Sequence, residues 1–182
     1  MHRRGLAISS LLTLCVVVIL LVFCPSGQAA EPLDYQVKAA FLLNFAKFVE
    51  WPRASFPDAT SPLEVCVLGD DPLGSALDQI AAGETIDARK VVVQKLTANL
   101  PLKSCNVLFI GRQEQAVSKI LAGLDPGTLT VGDSPDFLRN GGVITFTLEN
   151  RRVRFDVNLK AAESAGLKIS SKLLNVARSV GR

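Results

Sequence analysis

The stretch LEVCVLGDDPLGSALDQIAA, residues 63–82, carries the local pattern that decides the fold. Leu63–Leu68 is an apolar run of strand length, Gly69–Pro72 has the residues of a tight turn, and Leu73–Ala82 has helical spacing. Further apolar runs of strand length follow at Lys90–Leu96 and Val107–Ile110. Because these runs do not alternate with polar residues, they favour strands buried on both faces, as in a parallel sheet.

A helix is predicted ahead of this unit, over Leu33–Val49, and Pro52 would stop it. Its apolar residues recur every three or four positions and would line one face: Leu33, Val37, Phe41, Phe45 and Phe48. The same strand and helix rhythm continues after the third strand. The elements predicted there are a helix Gln113–Leu124, a strand Leu129–Val131 and a short helix Asp136–Arg139.

The pattern changes after Gly142. Val143–Leu148 and Arg152–Val157 flank a polar turn and predict an antiparallel hairpin, with Val153 and Phe155 toward the core and Arg152, Arg154 and Asp156 toward water. A helix Leu159–Ala165 and a last helix from Ser170 or Ser171 to about Val180 complete the chain. The predicted fold is a three-layer α/β domain: a mixed, mostly parallel sheet with helices on both faces and a C-terminal antiparallel hairpin.

Residues 1–29 have the order of features found in a secretory signal. Arg3 and Arg4 precede an apolar segment from Leu11 to Phe23, and small residues precede a cleavage position after Ala29. A retained membrane anchor is the alternative, because the apolar stretch approaches the roughly 20 residues that span a bilayer. Export to the periplasm is therefore expected, with residues 30–182 as one domain of ordinary size.

The composition limits the catalytic groups and the classes of partner that can be expected. The single histidine is His2, which a cleaved signal would remove, so Ser-His-Asp and Cys-His nucleophile pairs are not expected. The formal net charge is +3, and loss of Arg3 and Arg4 brings it closer to neutral, which does not point to nucleic acid. The basic residues gather after Arg151, where they would face either an acidic partner or solvent.

Cys66 and Cys105 are the cysteines that follow the predicted signal. Two thiols in an exported domain are more often a disulfide than free groups. The alternative is a pair of buried, reduced cysteines that pack as small hydrophobes.

Acidic turns are the remaining candidates for chemistry. Asp70 and Asp71 follow the first strand and Asp133 follows the fourth, where open α/β sheets bind ligands. Turn formation and helix capping explain the same residues. No metal site, cofactor site or set of catalytic residues is predicted. Trp51 is a candidate partner anchor, and its alternative role is to close the end of its own core.

The whole ordered set of motifs resembles the YfiR family. The resemblance rests on YQVKAAFLLNFAKFVEWP (35–52), CVLGDDPLG (66–74), CNVLFIG (105–111) and LTVGDS (129–134). It continues through GGVI (141–144), VRFDVN (153–158) and KISSKLL (168–174). Taken together these blocks cover nearly all of the chain after the predicted signal.

The resemblance implies a periplasmic regulator that is not an enzyme and that forms a homodimer. Such a protein represses a YfiN-like inner-membrane diguanylate cyclase, and a YfiB-like outer-membrane lipoprotein sequesters it, which controls cyclic di-GMP and biofilm formation. The family's cysteine pair falls on Cys66 and Cys105. Its second pair, near the late hairpin, is absent, because Thr145 and Arg152 stand in that region.

Two further expectations concern binding. The C-terminal hairpin and helices are the predicted partner surface, with Arg154, Lys168 and Lys172 as rim charges. Leu173 is a candidate apolar contact, with core packing as its alternative role. A periplasmic module that binds a small molecule is the second functional hypothesis, based on the α/β sheet and its acidic turns, and an enzyme is the third.

Overall fold

A computed structural model describes residues 33–69, 71–97, 102 and 104–181. The predicted signal at residues 1–29 and Asp70 of the acidic turn lie outside these residues. The helices are α1 Leu33–Ala46, α2 Gly74–Ala81, α3 Val117–Ala122, α4 Leu159–Ser164 and α5 Ser171–Leu174, and Arg53–Ser55 forms a 3-10 turn. The first five strands are β1 Val49–Glu50, β2 Leu63–Leu68, β3 Thr85–Ile86, β4 Arg89–Leu96 and β5 Val107–Ile110. The others are β6 Leu129–Gly132, β7 Ile144–Glu149, β8 Arg152–Asn158, β9 Lys168–Ile169 and β10 Ser179–Gly181.

Eight strands form one sheet in the order β10-β8-β7-β6-β5-β2-β4-β3. The central strands β4, β2, β5, β6 and β7 are parallel, whereas β8 returns antiparallel to β7 and β3 is antiparallel to β4. Strand β10 runs parallel to β8 at the edge. The prediction of a mixed, mostly parallel sheet with a C-terminal hairpin is confirmed. A separate two-stranded sheet pairs β1 with β9, which was not predicted.

Helices cover both faces of the large sheet, as predicted. On one face, α1 and α2 bury apolar strand residues beneath Leu42, Phe45 and Leu77. On the other face, α3 packs through Val117 against strand residues that include the disulfide. The second face also receives Phe137. Burial on both faces explains why the central strands are continuously apolar.

Helix α1 differs from its prediction in length and in its buried face. The helix ends at Ala46, because Val49 and Glu50 are extended and pair with Ile169 and Lys168. The predicted stripe is wrong at three positions, since Leu33 is 74% exposed, Val37 37% and Phe48 36%. The buried face instead comprises Lys38, Ala39, Leu42, Leu43, Phe45 and Ala46. Two alanines on this face let the helix lie close to the sheet.

The C-terminal segment is not the long helix predicted from Ser170 to Val180. Helix α5 stops at Leu174, and Ser179–Gly181 adds the edge strand β10 beside β8. The guanidinium of Arg178 binds the carboxylate of Asp156, and its backbone N–H donates to the carbonyl of Phe155 at 2.8 Å. These bonds draw the chain into an extended conformation. Asp156 was predicted to face water, but it is buried because it receives Arg178.

Residues 135–141 form turns in place of the helix predicted at Asp136–Arg139. Phe137 is fully buried here, and its ring lies between two glycines. A methyl group built on Gly132 would lie 2.6 Å from Cε2 of Phe137, and one on Gly142 would lie 2.8 Å from Cζ. The turn thus places the aromatic ring against bare backbone.

None of the described helices is long and apolar enough to cross a bilayer.

Candidate functional site

The carboxyl ends of the parallel strands form one edge of the sheet, where the strand order reverses between β2 and β5. Ligands of open α/β sheets bind at such an edge. Here Asp71 Oδ1 accepts hydrogen bonds from the N–H groups of Leu73 at 3.1 Å and Gly74 at 2.9 Å. Its Oδ2 lies 2.9 Å from Nζ of Lys95. The carboxylate therefore organises its own turn, in agreement with the turn role that the sequence offered.

The charge around Asp71 is balanced locally. Lys95 also lies 3.1 Å from the carboxylate of Asp78. The hydrogen bond that Lys95 donates to Asp71, followed by the one it donates to Asp78, raises the pKa of Lys95. The ammonium group remains cationic across the neutral range. Asp71, Asp78 and Lys95 thus join α2 to the end of β4.

Asp133, the other acidic candidate, lies at the end of β6 and is 3% exposed. Its Oδ2 is 3.1 Å from Nζ of Lys38, which projects from α1 and stands 4.2 Å from the centre of the Tyr35 ring. Arg112 Nε donates to the backbone carbonyl of Asp133 at 3.3 Å. Burial, followed by the charge of Asp133, raises the pKa of Tyr35.

The ion pair between Lys38 and Asp133 holds α1 to the sheet. Oδ1 of Asp133 has no hydrogen-bond partner among the described residues, so Lys38 is its principal compensation. The acidic edge is therefore a set of internal ion pairs. Across the described residues, no group of three or more His, Cys, Asp or Glu side chains is placed to hold a metal ion.

Cys66 and Cys105 form a disulfide, with their Cα atoms 5.7 Å apart. Both residues are buried, and the bond joins β2 to the segment that enters β5. It lies on the sheet face covered by α3. The pairing predicted from the sequence is present in the structure.

The predicted partner residues fall into two places. Trp51 follows β1, Lys168 belongs to β9, and Lys172 and Leu173 belong to α5, which follows β9 directly. Arg154 lies elsewhere, on β8 opposite Thr147. The sequence predicted a single C-terminal surface, and the structure assigns Arg154 to a different sheet from Lys168.

Around β1 and β9, the side chains differ in what they offer a partner. Lys168 is 82% exposed at its side chain, and Lys172 is also exposed. Trp51 is half-buried, packs edge-on against Phe56 with ring centres 6.3 Å apart, and leaves its Nε1–H without a partner among the described residues. Leu173 is 4% exposed and packs in the core. Its side chain therefore presents little surface to a partner.

A model of the YfiR/HmsC-like family matches residues 35–178. The chain belongs to this family. The match begins two residues inside α1 and ends immediately before β10, so the α/β domain described above is the family's domain. Membership in the YfiR/HmsC-like family supports a regulatory, non-catalytic protein of cyclic di-GMP signalling.

The YfiR/HmsC-like match ends at Arg178, the residue that binds Asp156. Sequence reasoning missed this pair, as well as the pair between Lys38 and Asp133. The partners are separated by 22 and 95 residues respectively, and no local pattern links them. The sequence features that could have indicated these pairs are an acidic residue within a predicted strand, Asp156, and a lysine within an apolar helix, Lys38.

The YfiR/HmsC-like domain also has an open cavity of about 410 Å³ between α3 and α4. Leu121, Leu124 and Leu138 provide its apolar lining, and Arg139 and Lys160 contribute positive charge. Thr128 and Thr130 contribute hydroxyl groups. Asp125 contributes negative charge and Arg139 is already paired with Asp136, so the lining suits a small amphipathic molecule without a fixed preference for charge.

Proposed function

We propose that this protein is a periplasmic repressor that binds the periplasmic region of an inner-membrane diguanylate cyclase and holds the enzyme inactive. The family match over residues 35–178 carries this proposal. The secretory pattern in residues 1–29 supports the compartment, because a cytoplasmic protein has no use for it. The disulfide between Cys66 and Cys105 supports the same compartment, since such bonds persist in oxidising surroundings.

A repressor of this kind needs an exposed recognition surface on a folded domain. The disulfide and the buried pair of Lys38 and Asp133 cross-link distant parts of this domain. Recognition would use the half-buried Trp51 as an anchor, with Lys168 and Lys172 as rim charges around it. Rim charges of this type mainly set the association rate and its salt dependence.

Deletion of the gene tests the proposal. Cyclic di-GMP and biofilm should rise in the deletion strain and return to the original level when the full chain is supplied. A chain that begins at Ala30 should fail to complement, because it would stay in the cytoplasm. Unchanged cyclic di-GMP after deletion would contradict the proposed function.

The partners require a separate experiment. Affinity purification of the full chain from solubilised membranes should recover a YfiN-like diguanylate cyclase. We propose a YfiB-like outer-membrane lipoprotein as the protein that sequesters the repressor, and a homodimer as its free form. Light scattering of the purified chain tests the homodimer, since a monomer at all concentrations would exclude it.

The cavity between α3 and α4 supports a second candidate function, the binding of a small molecule. Thermal shift measurements with nucleotides and amino acids test this function. A rise in Tm that disappears in Lys160→Glu would support it, and no shift with any of them would count against it.

A further inference from the structure

Strand β8 is paired along its whole length on one side but only in part on the other. Strand β7 covers β8 from Arg152 to Val157, whereas β10 covers only Asp156–Asn158. No described residue extends β10 alongside the first half of β8. The segment Arg152–Arg154 is therefore an open sheet edge, which we call the β8 edge.

The direction of the backbone groups along the β8 edge follows from two hydrogen bonds. The N–H of Asn158 donates to Val143 on the β7 side, and the carbonyl of Phe155 accepts from Arg178 on the β10 side. The backbone groups of successive residues in a strand point alternately to its two sides. Val153 lies two residues before Phe155, so its N–H and C=O face the same side as the carbonyl of Phe155. The N–H of Phe155 also faces this side. An added strand could bond to all three groups.

An exposed apolar strip lies beside the β8 edge, on the face covered by α1. The ring of Phe41 is 5.7 Å from that of Phe155 and 6.3 Å from that of Phe146. Val37 lies one helical turn before Phe41, toward the end where Lys38 meets Asp133. Leu148 lies two residues beyond Phe146 toward that same end, because β7 is parallel to β6. The strip comprises Leu33, Val37 and Leu148, which are exposed, and Phe41 and Val153, which are half-buried.

The opposite face of the β8 edge is basic. Arg152 and Arg154 are both exposed there, and Glu149 is paired in register with Arg152. Asp156 does not offset these charges, since Arg178 already binds it. An incoming strand thus meets positive charge on one face and apolar surface on the other.

This charge pattern decides between two occupants. In an antiparallel pair of two β8 strands centred on Val153, Arg152 of each copy would lie opposite Arg154 of the other. Like charges directly opposite each other on neighbouring strands destabilise the pairing. A second copy of the chain is therefore disfavoured, and a strand with acidic residues is favoured.

We propose that the β8 edge binds an extended segment of a partner protein as an additional strand, with acidic residues toward Arg152 and Arg154 and apolar residues toward Val153 and Leu148. Strand addition of this kind derives affinity from backbone bonds and specificity from alternate side chains. The proposal rests on the proposed function for the partner's identity, which would be the periplasmic region of the cyclase, and the β8 edge would then be a second contact besides the surface around Trp51.

A pair of peptides tests the surface. The probe is the heptapeptide EVEVEVE, and KVKVKVK is its charge-reversed counterpart, each titrated into the oxidised protein that begins at Ala30. EVEVEVE should bind, and it should slow hydrogen exchange at the amides of Val153 and Phe155, whereas KVKVKVK should bind about tenfold more weakly or worse. Failure of EVEVEVE to bind, or protection of other amides instead, would overturn the proposal. Protection that rises with protein concentration without peptide would show that a second copy occupies the edge, and would also overturn it.

Matched variants sharpen the test. Arg152→Glu combined with Arg154→Glu should reverse the preference to KVKVKVK, since the backbone groups remain and only the charge changes. Lys90→Glu combined with Lys119→Glu changes the same net charge at exposed positions elsewhere and should leave the preference intact. Equal Tm values for both double variants confirm that each is folded.

The same variants separate this proposal from the function on which it rests. Arg152→Glu with Arg154→Glu should raise cyclic di-GMP in cells to the level of the deletion strain. Retained repression by this variant would overturn the β8 edge as the cyclase-binding surface and leave the proposed function standing. An unchanged cyclic di-GMP level in the deletion strain would instead remove the proposed function.

Discussion

Lys38 and Asp133 are 95 residues apart in the sequence, and their side chains form a buried ion pair with Nζ and Oδ2 3.1 Å apart. The pair ties the first helix to the carboxyl edge of the sheet. Lys38→Met leaves the carboxylate buried and uncompensated, so we expect it to lower the free energy of unfolding by about 3 kcal/mol or more. Denaturant unfolding at neutral pH measures this.

Lys47→Met is the matched control for this prediction. Lys47 pairs with Glu84 at 2.6 Å, but both side chains are more than one-third exposed, so its loss should cost less than about 1 kcal/mol. Lys38→Met with Asp133→Asn should recover much of the loss, because the uncompensated charge is gone. Equal losses in the two lysine variants would show that the buried pair has no special role.

Acid should weaken the fold through Asp156. Its hydrogen bond from Arg178 lowers the pKa of Asp156 in the folded protein, so the folded state binds this proton less readily than the unfolded chain. The stabilisation is complete above the unfolded pKa of about 4 and disappears as the pH falls through the lower folded value.

Asp156→Asn should therefore lower stability at pH 7 by about 1 to 3 kcal/mol and flatten its pH dependence below about pH 4. Denaturant unfolding of both proteins between pH 7 and pH 2 provides the comparison. Parallel stability curves for the variant and the wild type would contradict the assignment.

Loss of the disulfide should destabilise the domain. The bond closes a sequence separation of 39 residues, which corresponds to about 4 kcal/mol in the chain-entropy treatment. Cys66→Ala with Cys105→Ala should lower Tm and should no longer respond to reductant. A wild-type Tm that is the same with and without reductant would refute this expectation. Under the proposed function, the double variant should also repress the cyclase less, and cyclic di-GMP measurements test this.

Crowding around Phe137 should make two glycines intolerant of a side chain. Gly132→Ala places a methyl group 2.6 Å from Cε2 of the Phe137 ring and should cost about 1 to 3 kcal/mol by overpacking. Gly123→Ala is the control, because its new methyl group would lie 3.6 Å from the nearest atoms. Phe137→Leu should partly rescue Gly132→Ala, as measured by Tm. A similar Tm change for the two glycine variants would contradict the crowding.

Reasoning from the sequence predicted the parts of the fold that depend on local pattern. Continuous apolar runs such as Val107–Ile110 predicted the parallel core, and the alternation around Val153 and Phe155 predicted the hairpin. Helix α1 was found, but its buried face was not, because Lys38 is buried by a partner distant in the sequence. An apolar stripe at helical spacing could not reveal that a lysine would replace Leu33 and Val37 on the inner face.

The C-terminal segment shows the same limit. Ser170 caps a helix as its type suggests, with its hydroxyl oxygen accepting from the N–H of Lys172 at 3.3 Å. The end of that helix depends on a tertiary contact, the binding of Arg178 to Asp156. Candidate site residues were predicted by type, but their grouping depends on the pairing of β1 with β9, two strands of two residues each. Strands so short leave no periodic signal.

The position of the disulfide also affects how quickly the domain can assemble. Strand β2 lies between β4 and β5, so the chain must add β4 on one side and then cross over to place β5 on the other. Contacts between distant segments slow folding, because the intervening loop must close before any contact is gained. Once formed, the bond between Cys66 and Cys105 closes the segment that contains this crossover into a loop with a sequence separation of 39 residues. An oxidised chain therefore searches fewer strand orders than a reduced one while it folds.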